Sequence, residues 1–330
     1  MPIQAFILNG ANLLHKMKKV DASSIKKKTI IDQIVKIVFL AITILCASVI
    51  IFIVSFILIK GITPFVHRYE IDGQFYSVNF FRFLGGTTWY QYPNLYSIGF
   101  IVINTIYVTF LSLLIAVPIS VLTALFISKI APKKIGKFLN TIIEILASIP
   151  SIIYGLFGAG VITLLVKDTA SLFHYQSAGG VSTLASVLVL AMMIIPTITM
   201  LSITAIQSVK DDLIKGSLAL GASQTQTNFK LVLTSAKSGI FSGIILGVGR
   251  ALGEATAVSM VAGNADVGPT FNLFDTTRTL TTTMLQGFQE TTGLNYDIRF
   301  SVGVVLIVII LGTNIILNIA KKKIGRGVLE

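Results

Sequence analysis

Cysteine is almost missing from this chain of 330 residues. Cys46 stands alone, so no intrachain disulfide can staple the fold. Histidine is nearly as scarce: His15, His67 and His174 lie far apart and offer no metal-ligating cluster. Acidic residues number 14, and charged residues make up only 12% of the chain, about half the ~25% of a soluble domain. An ordinary soluble globular protein is thereby excluded. No G-x-x-x-x-G-K-[ST] phosphate loop occurs, because GVGRALG (247–253) lacks the Lys-Ser/Thr ending. No nucleophile–base arrangement can be assembled either. The chain is therefore expected to be no enzyme and to bind no cofactor or metal itself. A short-period repeat is missing too. The opening MPIQAFILNGANLL lacks a basic n-region and a cleavage site, so it does not read as a secretory leader. It is expected to lie on the membrane surface or to be disordered.

What is abundant is apolar sequence: 54% hydrophobic residues and a mean hydropathy of +0.85. A transmembrane helix needs about 20 mostly apolar residues. Six stretches qualify, at 31–59, 97–127, 138–166, 182–206, 238–262 and 300–320. The fold class expected is an all-α polytopic membrane protein with six transmembrane helices. Pro118, Pro150 and Pro196 fall inside the second, third and fourth stretches and should kink or interrupt them. A bend that improves packing and a hinge are both open.

The net charge of +12 suggests nucleic acid at first sight. The basic residues instead sit in short segments between apolar stretches, where they carry topology information. Seven Lys fall in 16–36, four in 129–137 and four in 207–237, with four Lys or Arg in 321–326. Lys60, Arg68, Arg82, Lys167, Arg278 and Arg299 fall on the opposite side. This asymmetry places both termini in the cytoplasm. Trp89, Tyr90, Tyr92 and Tyr96 suit an outer interfacial belt, and 80–84 a short surface helix.

Arg250 and Glu254 are the charges that fit no topology rule. They sit at i and i+4 within SGIFSGIILGVGRALGEATAVSMVA (238–262) and would share one helix face. An ionised group at mid-membrane costs about 3 kcal/mol or more. It is tolerated where it faces a bundle interior or a watery path. Two roles fit: an internal ion pair that fixes the helix, or a path for an anionic or polar solute. Gly239, Gly243 and Gly247, and likewise Gly249 and Gly253, recur every four residues and allow close helix approach. They suit packing within the chain and contact with a partner helix equally. Glu144 is read as a buried acid in the third stretch. Capping, a cytoplasmic Lys and an inner vestibule all suit it. Asn104 and Asn140 are expected to bond between helices.

Residues 207–237, QSVKDDLIKGSLALGASQTQTNFKLVLTSAK, form a long segment between the fourth and fifth stretches. Asp211 and Asp212 suit a helix N-terminus, and Gly221 a turn between two helical runs. Val209, Leu213, Leu218, Leu220, Phe229 and Leu233 space out an amphipathic surface. A plain helical connector and a docking helix on a cytoplasmic partner both fit.

This segment resembles the cytoplasmic loop of type I ABC importer permeases. Their motif reads Glu-Ala-Ala, three residues, Gly, nine residues, Ile-x-Leu-Pro. Gly221 takes the Gly position and Leu233 the second apolar one. The sequences LALGAS (218–223), 238–264, LIAVPISVLTALFISKIAP (114–132) and IIEILASIPSIIYGLFG (142–158) are similar to phosphate-specific permeases of the PstC type. They follow that family's order over 97–264. Lys215, Gly216 and Ser217 depart from Glu-Ala-Ala, Leu231 replaces Ile, and Thr234 replaces Pro.

The resemblance implies a MetI-like permease core at 97–320. A basic segment (1–30), a first helix with its outer loop (31–96) and a basic tail (321–330) would flank it. It implies that Asp212, Lys215, Gly216, Ser217, Leu220, Gly221, Ala222 and Leu233 form the ATPase-coupling segment. It further implies a second, similar permease, an ATPase dimer that carries ATP and Mg, and an extracytoplasmic phosphate-binding protein. Arg250 would then contact passing phosphate, and Glu254 would restrain Arg250 and keep that binding weak. Permeases for molybdate or sulfate and the sister phosphate permease are the nearest alternatives. An ion-coupled secondary transporter is expected to show inverted repeats, and none is evident.

Overall fold

The computed structural model describes residues 22–71, 73–92 and 94–326. Among them, six helices are long and apolar enough to cross a membrane. The chain divides into two units, Met1–Phe56 and Ile57–Glu330. Helix α1 (Ala22–Val66) supplies the described residues of the first unit and continues into the second. Its apolar side chains from Ile30 to Phe52 are exposed, as lipid-facing residues are. Cys46 is among the exposed residues.

The second unit continues with a hairpin of β1 (Tyr69–Ile71) and β2 (Gln74–Tyr76), antiparallel with Tyr69 opposite Tyr76. Helix α2 (Phe80–Gly85) follows, where a short surface helix was expected. Asn79 Oδ1 accepts the Arg82 N–H at 3.1 Å and caps it. Strands β3 (Trp89–Tyr90) and β4 (Leu95–Tyr96) pair with Trp89 opposite Tyr96. Directly opposed residues share a face, and here that face is the core. Trp89 and Tyr96 are buried with ring centroids 5.0 Å apart. The expected aromatic belt is thus corrected: Tyr90 and Tyr92 are exposed, and the other two pack inward.

Helix α3 (Gly99–Leu125) runs through Pro118 unbroken and extends in a π turn to Ile130. The third stretch is corrected. Helix α4 (Lys133–Ser148) ends before Pro150, and α5 (Ser151–Phe157) starts just after it. Pro150 lacks an N–H and sits where a helix start leaves that donor unused. A π turn joins α5 to α6 (Thr163–Leu172), so the candidate span is Ser151–Leu172. Helix α4 is a separate amphipathic helix that buries Gly136 and Ile143.

Helix α7 (Thr183–Gln207) is the most buried span and packs between α3 and the fifth span. Hydroxyls tie it to α3: Ser112 Oγ donates to Val187 O and Ser120 Oγ to Ile195 O, both at 3.1 Å. Next come α8 (Asp211–Ala219), α9 (Gln224–Gln226) and a π turn leading into α10 (Leu233–Gly253). Short helices α11 (Thr256–Ser259) and α12 (Leu280–Leu285) precede α13 (Leu294–Arg326). The core of this unit forms three clusters. One lies around α7 mid-length, one around Trp89, Tyr96 and Ile298, and one around Ile127, Ile206 and Val232.

Candidate functional site

Arg250 lies three residues before the end of α10, neither buried nor fully exposed. Its Nη1 donates to Thr197 Oγ1 of α7 at 2.7 Å. The expected helical pair with Glu254 does not form. Helix α10 stops at Gly253, and Glu254 adopts an extended backbone with ψ 118°. Glu254 Oε1 instead accepts the Ala257 N–H at 2.9 Å and opens α11. Its carbonyl accepts from Thr281 Oγ1 at 2.7 Å. The ion pairs among the described residues are Lys60–Asp297 and Arg278–Asp266. Arg250 therefore has no carboxylate within 4.0 Å among the described residues.

The two glycine stripes separate cleanly. A Cβ at Gly239 would meet Ala205 Cβ at 2.5 Å, one at Gly243 Leu201 Cβ at 3.0 Å, and one at Gly247 Ile198 Cγ1 at 2.7 Å. These three let α10 lie against α7 inside the chain. Nothing lies within 4 Å of a Cβ at Gly249 or Gly253. Around these two positions the described residues leave open space.

Glu144 is corrected from a buried acid to an exposed one on α4. Its Oε1 accepts from Asn140 Nδ2 at 2.6 Å, so Asn140 bonds within its own helix. Asn104 is buried, and neither of its amide atoms finds a partner among the described residues.

In the 207–237 segment, Asp211 and Asp212 fall in the first turn of α8 as expected. Gly221 makes the turn with φ +85°, a left-handed conformation that favours glycine. Ser223 and Gln226 form a capping box on α9. Ser217 Oγ lies 3.0 Å from Thr227 Oγ1 and ties the two arms together. Helix α8 buries none of its residues. Lys215, Gly216, Leu213, Leu218 and Leu220 are exposed, Leu220 at 91%, whereas Ala222 and Leu233 are half-buried. An apolar face is thus presented away from the fold.

Sequence reasoning missed three buried charges. Arg278 and Arg299 were counted among the basic residues of the outer side and Asp297 was not singled out, yet all are buried. Arg278 Nη2 donates to Asn264 O and Asp266 Oδ1, each at 2.7 Å. Burial lowers its pKa below the ordinary arginine value, and Asp266 opposes that shift. Asp297 accepts from Lys60 Nζ at 3.4 Å and from Tyr69 Oη at 2.7 Å. Burial first, and then that bond, raise the Tyr69 pKa, so the hydroxyl stays protonated. The available signal was TTRTLTTT (276–283), one arginine in a threonine run with no other charge.

The family described as "Binding-protein-dependent transport system inner membrane component" matches residues 116–330. The chain is 42% identical over 204 residues to "Probable ABC transporter permease protein YqgH" of Bacillus subtilis (strain 168), covering 61% of this chain. It spans 64% of that relative's length, a little under two thirds. It is 33% identical over 260 residues to "Phosphate transport system permease protein PstC" of Pasteurella multocida (strain Pm70), covering 74% of this chain and 80% of that one. Among solved structures, a chain of a bacterial alginate ABC transporter superposes with TM-score 0.59 at 17% identity, over 90% of this chain and 97% of that one. This last likeness concerns the fold alone. Six spanning helices and this family match make the chain a multi-pass membrane protein.

Proposed function

This chain belongs to the family of binding-protein-dependent transport system inner membrane components, and we propose that it is the PstC-type permease subunit of an ATP-driven importer of inorganic phosphate. It works with a PstA-like second permease, a PstB-like ATPase dimer and a PstS-like extracytoplasmic binding protein. Both termini face the cytoplasm, as the excess of Lys and Arg on that side favours. The chain itself binds no ATP, Mg or other cofactor; its energy arrives through the ATPase.

The observation that carries this reading is Arg250. It is a guanidinium held between two spans by a neutral hydroxyl, Thr197 Oγ1, with no carboxylate within 4.0 Å among the described residues. An always-charged planar fork matches phosphate oxygens. A hydroxyl partner orients it without neutralising it. Relatives named as phosphate permeases support the choice of anion. Glu254 shapes the turn beside Arg250 and does not restrain it. The exposed apolar side chains of α8 and of Leu220, which follows it, supply the contact to the ATPase. Closure of that contact on ATP binding switches the path between its two openings. Gly249 and Gly253 offer the face for the second permease.

Proteoliposomes that hold the complete assembly test this reading. Labelled phosphate should accumulate only with ATP inside the coupling compartment and phosphate-loaded binding protein on the other side. ATP-independent accumulation, or none with every component present, would refute it.

A further inference from the structure

Arg278 and Arg299 carry no part of the function proposed above, yet both are costly to hold. Arg278 is 5% exposed and Arg299 2%. A buried guanidinium is retained where charge and hydrogen bonds compensate it, and here the compensation is incomplete. Nε of each arginine has no partner among the described residues. Arg278 has Asp266, while Arg299 Nη1 donates to the Thr283 carbonyl at 2.6 Å and Arg299 meets no carboxylate within 4.0 Å among the described residues. Asp297, two residues away, is already taken by Lys60 and Tyr69. Of the two guanidinium groups only Arg278 has a carboxylate, which leaves one positive charge over.

Beside them opens a cavity of about 270 Å³, lined by Trp89, Tyr90, Gln91, Asp266, Arg278 and Gln286. Arg299 does not line it, but comes near Gly287, the neighbour of the lining residue Gln286. A Cβ added at Gly287 would lie 3.4 Å from Arg299 Nη2 and 4.0 Å from Gln91 Nε2. The carboxylate of Asp266 is a loose counter-ion, since its side chain is 54% exposed against 6% for that of Arg278. A small oxyanion has room in such a cavity. It would meet a guanidinium and two amides there, and could displace Asp266 toward solvent.

We propose that this cavity is a second oxyanion site, remote in sequence from Arg250. Arg278 and Gln286 contact the ion, Arg299 adds its field, and Asp266 competes with the ion for Arg278. The identity of the ion as phosphate rests on the function proposed above; the cavity's charge and lining do not.

The test uses the complete assembly in lipid nanodiscs with the binding protein left out. Arg250→Ala is present throughout, so that site contributes nothing. The ³¹P line width of inorganic phosphate reports weak, exchanging binding. The cavity should broaden the line. Gln286→Leu, on the exposed rim, should weaken binding about tenfold, as loss of a hydrogen bond to a charged ligand does. Arg278→Gln should abolish it. Asp266→Asn should strengthen it several-fold, an effect that a merely structural arginine would not give. No broadening, no response to Gln286→Leu, or weaker binding in Asp266→Asn would overturn the proposal. Uptake of labelled phosphate by the unmutated assembly, in proteoliposomes with the binding protein present, is read in parallel. Uptake without broadening sinks the cavity alone, whereas broadening without uptake sinks the importer reading and leaves the cavity standing.

Discussion

Arg250 reaches across to Thr197 and not along its own helix to Glu254. The Nη1–Oγ1 contact of 2.7 Å joins α10 to α7 one residue beyond Pro196. The consequence is electrostatic. A carboxylate partner would have neutralised the guanidinium, while a hydroxyl only aims it. On the reading proposed above, that charge serves a passing anion, whose transport needs brief and weak binding.

Glu254 acts through its hydrogen bond to the Ala257 N–H. A glutamine carbonyl can accept the same bond. Glu254→Gln should therefore keep most of the uptake rate. Glu254→Ala should destabilise the chain by about 1 kcal/mol, the usual worth of such a cap. Thermal unfolding of both variants, measured beside uptake, checks this. Equal loss of uptake in both, with stability unchanged, would mean that the negative charge itself matters.

The glycine stripes should respond differently to alanine. At Gly239 the added methyl collides with Ala205 Cβ at 2.5 Å. Forcing apart well-packed helices costs about 1–3 kcal/mol, so Gly239→Ala should lower the melting temperature of the purified chain. Gly249→Ala meets nothing within 4 Å and should leave that temperature unchanged. It should instead reduce recovery of the second permease by pull-down. Normal recovery would remove the face around Gly249 from the partner contact.

Leu220 is 91% exposed at the end of α8. Burying a leucine against a partner is worth about 1.5–3 kcal/mol. Leu220→Asp should weaken ATPase binding at least about tenfold, with the isolated chain equally stable. Titration of the detergent-solubilised permease pair with the ATPase measures this. Unchanged affinity would place the contact elsewhere on the segment.

Much of this was legible in the sequence. Six apolar stretches exceed the bilayer's length requirement, and burial inside the chain does not alter that signal. Hydropathy failed where a break occurs inside apolar sequence. Around 254–262 the composition runs on while the helix stops, because Glu254 accepts from Ala257 and Thr281. Thr281 is distant in sequence, so no local pattern announces it. Pro150 was seen as an interruption, yet hydropathy merged α4 with α5 and so buried Glu144 on paper. Trp89, Tyr96, Arg278 and Arg299 read as loop residues. Packing between distant segments, with Leu280 and Ile298 at its centre, puts them inside.

Phosphate uptake by the Arg250→Ala assembly is the most direct measurement. The account predicts that the variant assembles with its partners and hydrolyses ATP, while uptake falls by at least about a hundredfold, as expected when a charged contact to an anion is lost in a low-dielectric path. Uptake at the unmutated rate would contradict it.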